Sequence, residues 1–140
     1  MKKVACVVSF NFVHEGHWKH IEEASKLGDK LYVIVVDDKS LMRQKGGHNF
    51  PLEDRIGIGY PVKWLNQNNE IVVAIDKENT VAETLRMIRP DIFAKGGDRT
   101  ESRMPQKELD VCEEIGCEVI YGVGEQLNHS SRLKKLVLGI

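Results

Sequence analysis

The sequence predicts an α/β domain of three layers, α/β/α, with helices on both faces of a five-stranded parallel sheet. Three observations carry that prediction. Short β-branched runs alternate with helical patterns along the chain, the mark of repeated strand–helix–strand units with right-handed crossovers. The run at 31–36 is continuous in apolar residues, as a strand covered on both faces must be. No repeat, low-complexity segment or Pro/Gly/Ser-rich linker divides the 140 residues. That length supports one domain, residues 1–140, with a real core.

The elements follow in order. Residues 4–9 read as a buried strand. Residues 16–27 carry Trp18, Ile21, Ala24 and Leu27 at helical spacing, with Gly28 as the C-terminal stop. Residues 31–36 form the second strand, and a polar stretch rich in Lys, Gly and His follows over 37–49. Pro51 opens the next helix, with Leu52, Ile56 and Trp64 as its inner face and a break at Gly57, Gly59 or Pro61. Residues 71–75 are the third strand. Thr80 with Glu83 makes a capping box for a helix carrying Val81, Leu85 and Ile88, ended by Pro90. Residues 92–94 form a short fourth strand. Pro105 starts a helix through Leu109, Cys112 and Ile115, stopped by Gly116. Residues 119–122 are the fifth strand and 130–138 a last helix.

Composition narrows the function. Twenty Lys and Arg against 21 Asp and Glu leave a net charge of −1, which argues against a chain that coats nucleic acid. Apolar content of 41% excludes wholesale disorder. The longest apolar runs fall far short of the roughly 20 residues of a membrane-spanning helix, so no membrane is expected. The basic lead Met1-Lys2-Lys3 precedes an apolar stretch interrupted by Ser9 and Asn11, which makes a poor signal peptide. Cys6, Cys112 and Cys117 lack metal-ligand spacing, so a reduced, cytoplasmic setting is expected.

In a doubly covered parallel sheet, ligands bind beyond the carboxyl ends of the strands. Four polar constellations fall there. After the first strand come Ser9, Phe10 and Asn11, then His14, Gly16 and His17. His14 and His17 share a helical face, Gly16 permits close approach, and a helix start offers free N–H groups to an anion. A phosphate site and simple capping both use these letters. His20 extends the series towards a metal reading, but no cysteine or carboxylate completes a set. After the second strand lies Arg43-Gln44-Lys45-Gly46-Gly47-His48, a lysine in a Gly-rich segment that either closes over a phosphate or is a solvated loop. Arg55 opens the next helix and is equally open. After the fourth strand, Lys95, Gly96, Gly97 and Asp98 expose backbone groups and a carboxylate to a nucleoside, or simply turn. This is not a P-loop, since G-x-x-x-x-G-K-[ST] is absent. Last, Asn128-His129-Ser130-Ser131-Arg132 either cap a helix or add N–H groups and a cation for a polyphosphate.

Together these segments resemble the cytidylyltransferase-like nucleotidyltransferases, a family that includes glycerol-3-phosphate cytidylyltransferase and heptose-1-phosphate adenylyltransferase domains. The resemblance covers nearly the whole chain. Residues 8–17 resemble its G-x-F-D-x-x-H-x-G-H signature, and Leu27-Gly28-Asp29 with the second strand resembles L-G-D-x-L-x-V-x-V. Asp38 falls on an acidic position, Lys45 on the substrate-loop lysine, and Pro51-Leu52-Glu53-Asp54-Arg55 on P-x-E-x-R. Pro90-Asp91 with Lys95 to Asp98 resembles P-D-x-x-x-K-G-G-D, and Ser130-Ser131-Arg132-Leu133 the end of S-T-T-[KR]-I.

The resemblance implies a Rossmann-like fold and transfer of a nucleoside monophosphate from an NTP to a phosphorylated acceptor, with release of pyrophosphate. ATP with a sugar 1-phosphate is favoured, and CTP with a polyol phosphate follows; a nucleotide sensor without turnover is the rival. By the same resemblance His14 and His17 bind the triphosphate and stabilise charge at the α-phosphorus, and Lys45 bridges acceptor and α-phosphate. Asp38 and Arg55 serve the acceptor. Ser9, Phe10, Asn11, Gly16, Lys95, Gly96, Gly97, Asp98, Ser130, Ser131 and Arg132 contact the nucleotide. Magnesium or another divalent cation and a homodimer are implied too. Three departures stand out: Val8 replaces the signature Gly, Asn11 the signature Asp, and His129 a small hydroxyl residue. An amide is a poorer ligand than a carboxylate for a hard cation, so Asn11 implies a weak metal site.

Overall fold

A computed structural model describes residues 1–11, 13–45, 49–96 and 104–124, and for 43–45 the backbone alone. The expected last helix therefore lies outside the described residues. The strands are β1 (Lys3–Val7), β2 (Lys30–Val35), β3 (Glu70–Val73), β4 (Ile92–Ala94) and β5 (Glu118–Ile120). All pair in parallel, in the order β3-β2-β1-β4-β5. The helices are α1 (Glu15–Ser25), α2 (Asp38–Lys45), α3 (Leu52–Gly59), α4 (Val62–Leu65), α5 (Ala82–Ile88) and α6 (Gln106–Ile115).

Strand alternation sends side chains into two cores. Val4, Cys6, Leu31, Val33 and Val35 meet Ile21 and Ala24 of α1 and Val62 of α4. Ala5 and Ile34 face the other way, onto Leu41 of α2, Leu85 and Ile88 of α5, and Val111 and Cys112 of α6. The result is the expected Rossmann-like sandwich of helix, sheet and helix. Chain order reverses between β1 and β4, so the crevice for a ligand opens at their carboxyl ends.

Several local expectations are corrected. Part of the polar stretch after β2 is helical: Asp37 accepts the Ser40 N–H at 2.7 Å through its carboxylate, its carbonyl accepts the Leu41 N–H at 3.0 Å, and Leu41 is buried. The helix after Pro51 breaks at Tyr60-Pro61 into α3 and α4, but Trp64 is 79% exposed and Val62 fills the inner position. The Thr80–Glu83 box does not form. Thr80 Oγ1 accepts only the Ala82 N–H, while Asp76 accepts from the Glu83 and Thr84 N–H groups; the Glu83 carboxylate turns to Arg86. Gly28 is no helix stop either, since α1 ends at Ser25 with Lys26 as its C-cap. It lets the chain pass β1, where an added Cβ would stand 2.7 Å from the Lys2 carbonyl oxygen. Gly116 does end α6, at φ +71.

Candidate active site

The loop from β1 to α1 is built around Phe10, whose φ of 55 places a non-glycine residue in the left-handed region. Such strain persists only where packing enforces it. The ring is fully buried, lies 5.9 Å from the Trp18 ring, and occupies the space beside Gly59. The Phe10 side chain is thus part of the core and not of the crevice lining.

His14 is the N-cap of α1. Its Nδ1 accepts the Gly16 N–H at 3.0 Å, and His17 Nδ1 accepts the His14 N–H at 3.1 Å. Two imidazoles thus form a reciprocal capping box, with ring centroids 4.1 Å apart. This corrects the expectation that the first N–H groups await an anion, because the histidines occupy two of them. A nitrogen accepting from an amide carries no proton, so each neutral ring holds its proton on Nε2. The pair offers imidazole N–H donors in preset orientations.

The Asn11 carboxamide is engaged by the protein at both ends. Its carboxamide oxygen accepts the Phe50 N–H at 2.9 Å, and its Nδ2 donates to Asn49 Oδ1 at 2.9 Å. Because the Phe50 N–H must donate, the Asn11 oxygen is the atom facing it, and the donor face goes to Asn49. Ser9 Oγ accepts the Asn11 N–H at 3.3 Å.

Arg55 closes the same network from below. The side chain is 0% exposed, against 58% for Asp38. Nε donates to the Phe50 carbonyl at 2.9 Å, one terminal nitrogen to the Ser9 carbonyl at 3.1 Å, and the other to Asp38 Oδ1 at 3.0 Å. The Phe50 peptide is held at both ends, by Asn11 and by Arg55. The sequence left Arg55 open between an exposed cation and an acceptor-binding residue, and the glycines of α3 disguise the inner face it occupies.

On the other side of the switch point, Lys95 and Gly96 follow β4. Lys95 Nζ lies 4.6 Å from the centroid of the Phe93 ring. Gly96 passes against His20 of α1, so the loop after β4 packs on that helix. His20 Nδ1 donates to the Val123 carbonyl at 2.7 Å. Among the described residues no group of three His, Cys, Asp or Glu stands together for a metal. With the Asn11 amide engaged as well, the described side chains do not fit a protein-held cation. The Lys45 side chain, Gly46, Gly47, His48, Gly97, Asp98, His129, Ser130, Ser131 and Arg132 lie outside the described residues. No helix among the described residues is long and apolar enough to cross a membrane.

A Rossmann-like sheet with an H-x-G-H pair at its switch point defines the class of nucleotidyltransferase domains. The family model described as cytidylyltransferase-like matches residues 5–131, and the chain belongs to that family. The bifunctional protein HldE of Streptomyces coelicolor is 34% identical over 108 residues, covering 76% of this chain and 22% of the relative. The FAD synthase of Ferroglobus placidus is 34% identical over 99 residues, covering 71% of this chain and 61% of the relative. The chain thus spans about a fifth of the HldE proteins and three fifths of that FAD synthase. A lipopolysaccharide core biosynthesis protein from Thermoplasma volcanium shares the fold with TM-score 0.66 at 23% identity, over 93% of this chain and 99% of that one.

Proposed function

We propose that this chain transfers a nucleoside monophosphate from an NTP, with ATP favoured, to the phosphate of a sugar or polyol phosphate, releasing pyrophosphate. A phosphate oxygen of the acceptor attacks the α-phosphorus, the bond to the β-phosphate oxygen breaks, and no covalent link to the protein forms. The observation that carries the reading is the His14–His17 box at the switch point. Its Nε2–H groups donate to charge developing on the α-phosphate and the departing oxygen, and their orientation is preset by backbone hydrogen bonds. Lys45, with its resemblance to the substrate-loop lysine, would neutralise the acceptor phosphate. Ser130, Ser131 and Arg132 would hold the β- and γ-phosphates. Arg55, covered as it is, would act by fixing the loops at Ser9 and Phe50 instead of touching the acceptor.

ATP is supported by the Lys95-Gly96-Gly97-Asp98 element and by the FAD synthases among the relatives, whose product carries an adenylyl group. Asn11 favours one second reading, a nucleotide sensor, because the signature carboxylate is absent and its replacement is spent on the protein. Pyrophosphate release distinguishes them. The chain is incubated with magnesium, each of the four NTPs, and sugar 1-phosphates, polyol phosphates or FMN. Release that requires both partners eliminates the sensor, and the active pair names the substrates. Tight nucleotide binding with no release for any pair eliminates the transferase.

A further inference from the structure

Helix α1 leans on the loops that follow β4 and β5, and His20 makes the contact. It lies three residues beyond His17, so its ring issues near the same face, one turn along. Its Nδ1–H donates to the Val123 carbonyl at 2.7 Å. The Val123 N–H donates to the Lys95 carbonyl at 2.9 Å, and the Lys95 N–H to the Ile120 carbonyl at 2.8 Å. One chain of hydrogen bonds thus runs from α1 through the loop after β5 to the loop after β4.

Two glycines make room for the wedge. A Cβ on Gly96 would stand 2.8 Å from His20 Nδ1, and one on Gly124 would stand 2.6 Å from His20 Cα. Gly124 also has φ +79, a conformation side chains resist. Burial, and then the nearby charge of Lys95, lower the His20 pKa from its ordinary 6.5, against the opposing pull of the Val123 carbonyl. A ring that donates from Nδ1 and stays neutral has its lone pair on Nε2, the reverse of His14 and His17. A longer cation here would crowd Lys95, and an apolar side chain would leave the Val123 carbonyl without its donor.

We propose that His20 is a positioning residue for nucleotide recognition: wedged against Gly96 and Gly124, it sets how closely α1 stands to the loops after β4 and β5, and so the width of the nucleotide subsite between the His14–His17 pair and Gly96. The subsite rests on the functional reading above. The role belongs to the donor at the Nδ1 position, which separates it from plain space filling.

The test measures ATP binding by calorimetry together with steady-state kinetics for wild type, His20→Leu and His20→Asn. Leucine keeps bulk and loses the donor, whereas the asparagine amide nitrogen falls where Nδ1 stood. One such bond is worth about a factor of ten in an equilibrium constant, which reaches the ATP Kd through the placement of α1 against these loops. His20→Leu is therefore expected to raise the ATP Kd and KM about tenfold with kcat changed much less. His20→Asn is expected to stay within about twofold of wild type, since it keeps the hydrogen bond. Equal ATP affinity in wild type and His20→Leu overturns the proposal, as does an asparagine variant impaired as badly as leucine. Should His20→Leu fail to fold, Gly96→Ala displaces the ring with the donor retained; ATP affinity like that of wild type would overturn the proposal equally. A wild type that binds no nucleotide removes the functional reading itself, and this proposal with it.

Discussion

Replacing Arg55 gives a direct measure of how the site is held. The guanidinium is fully covered and serves three acceptors: the Phe50 carbonyl at 2.9 Å, the Ser9 carbonyl at 3.1 Å and Asp38 Oδ1 at 3.0 Å. Arg55→Met keeps most of the volume but strips both carbonyls of a donor. An unsatisfied buried acceptor costs about 1–3 kcal/mol. The Asp38 carboxylate is 58% exposed, so it returns to water and adds little. The expected loss is about 2–6 kcal/mol, a large share of the roughly 5–15 kcal/mol that holds a domain together. Arg55→Lys keeps the charge but not the fork, and is expected to lose about 1–2 kcal/mol. Urea denaturation gives both values, and the acceptor KM is measured alongside. If Arg55 instead touches the acceptor phosphate, lysine would raise that KM while leaving the urea midpoint in place. An unmoved midpoint for both variants would refute the argument.

His17→Ala is expected to lower kcat by about two to three orders of magnitude with a small change in KM, the usual effect of losing one preorganised donor; near-normal kcat would end the assignment of the histidine pair. Asn11→Asp keeps an acceptor for the Phe50 N–H but removes the donor to Asn49. It is expected to cost about 1 kcal/mol in urea denaturation and leave the magnesium requirement unchanged. A lower requirement with full stability would instead make residue 11 a metal ligand. His20 has a folded pKa below its ordinary 6.5, so the unfolded chain binds its proton more readily. Its contribution is fully present above 6.5 and is lost as pH falls from there towards the folded value. Between about pH 7.5 and about pH 5.5 wild type should lose more stability than His20→Asn; equal losses would mean that His20 does not carry the slope.

The sequence by itself determined the five strands and their parallel pairing, and pointed to the sheet edge where the candidate site is proposed. These follow from local causes. An apolar β-branched run fixes a strand wherever it sits, and strand–helix alternation leaves little choice of topology. Gly116 ends α6 for an equally local reason, its positive φ. The tertiary structure decided what each polar side chain does. Arg55 is buried because Ser9, 46 residues away, and Phe50 offer carbonyls beneath α3. Asp76 caps α5 in place of Thr80 and Glu83 because the chain turns after β3 and brings that carboxylate to the helix start. Trp64, at a helical spacing suited to the core, ends up 79% exposed because the break at Tyr60-Pro61 resets the phase of the helix. His20 meets Val123 across 103 positions, and no local pattern announces that contact. Periodicity states which side of an element is apolar. Which donor meets which acceptor depends on chain segments that only folding brings together, and there the identity of the partner, not the residue's own propensity, sets the outcome.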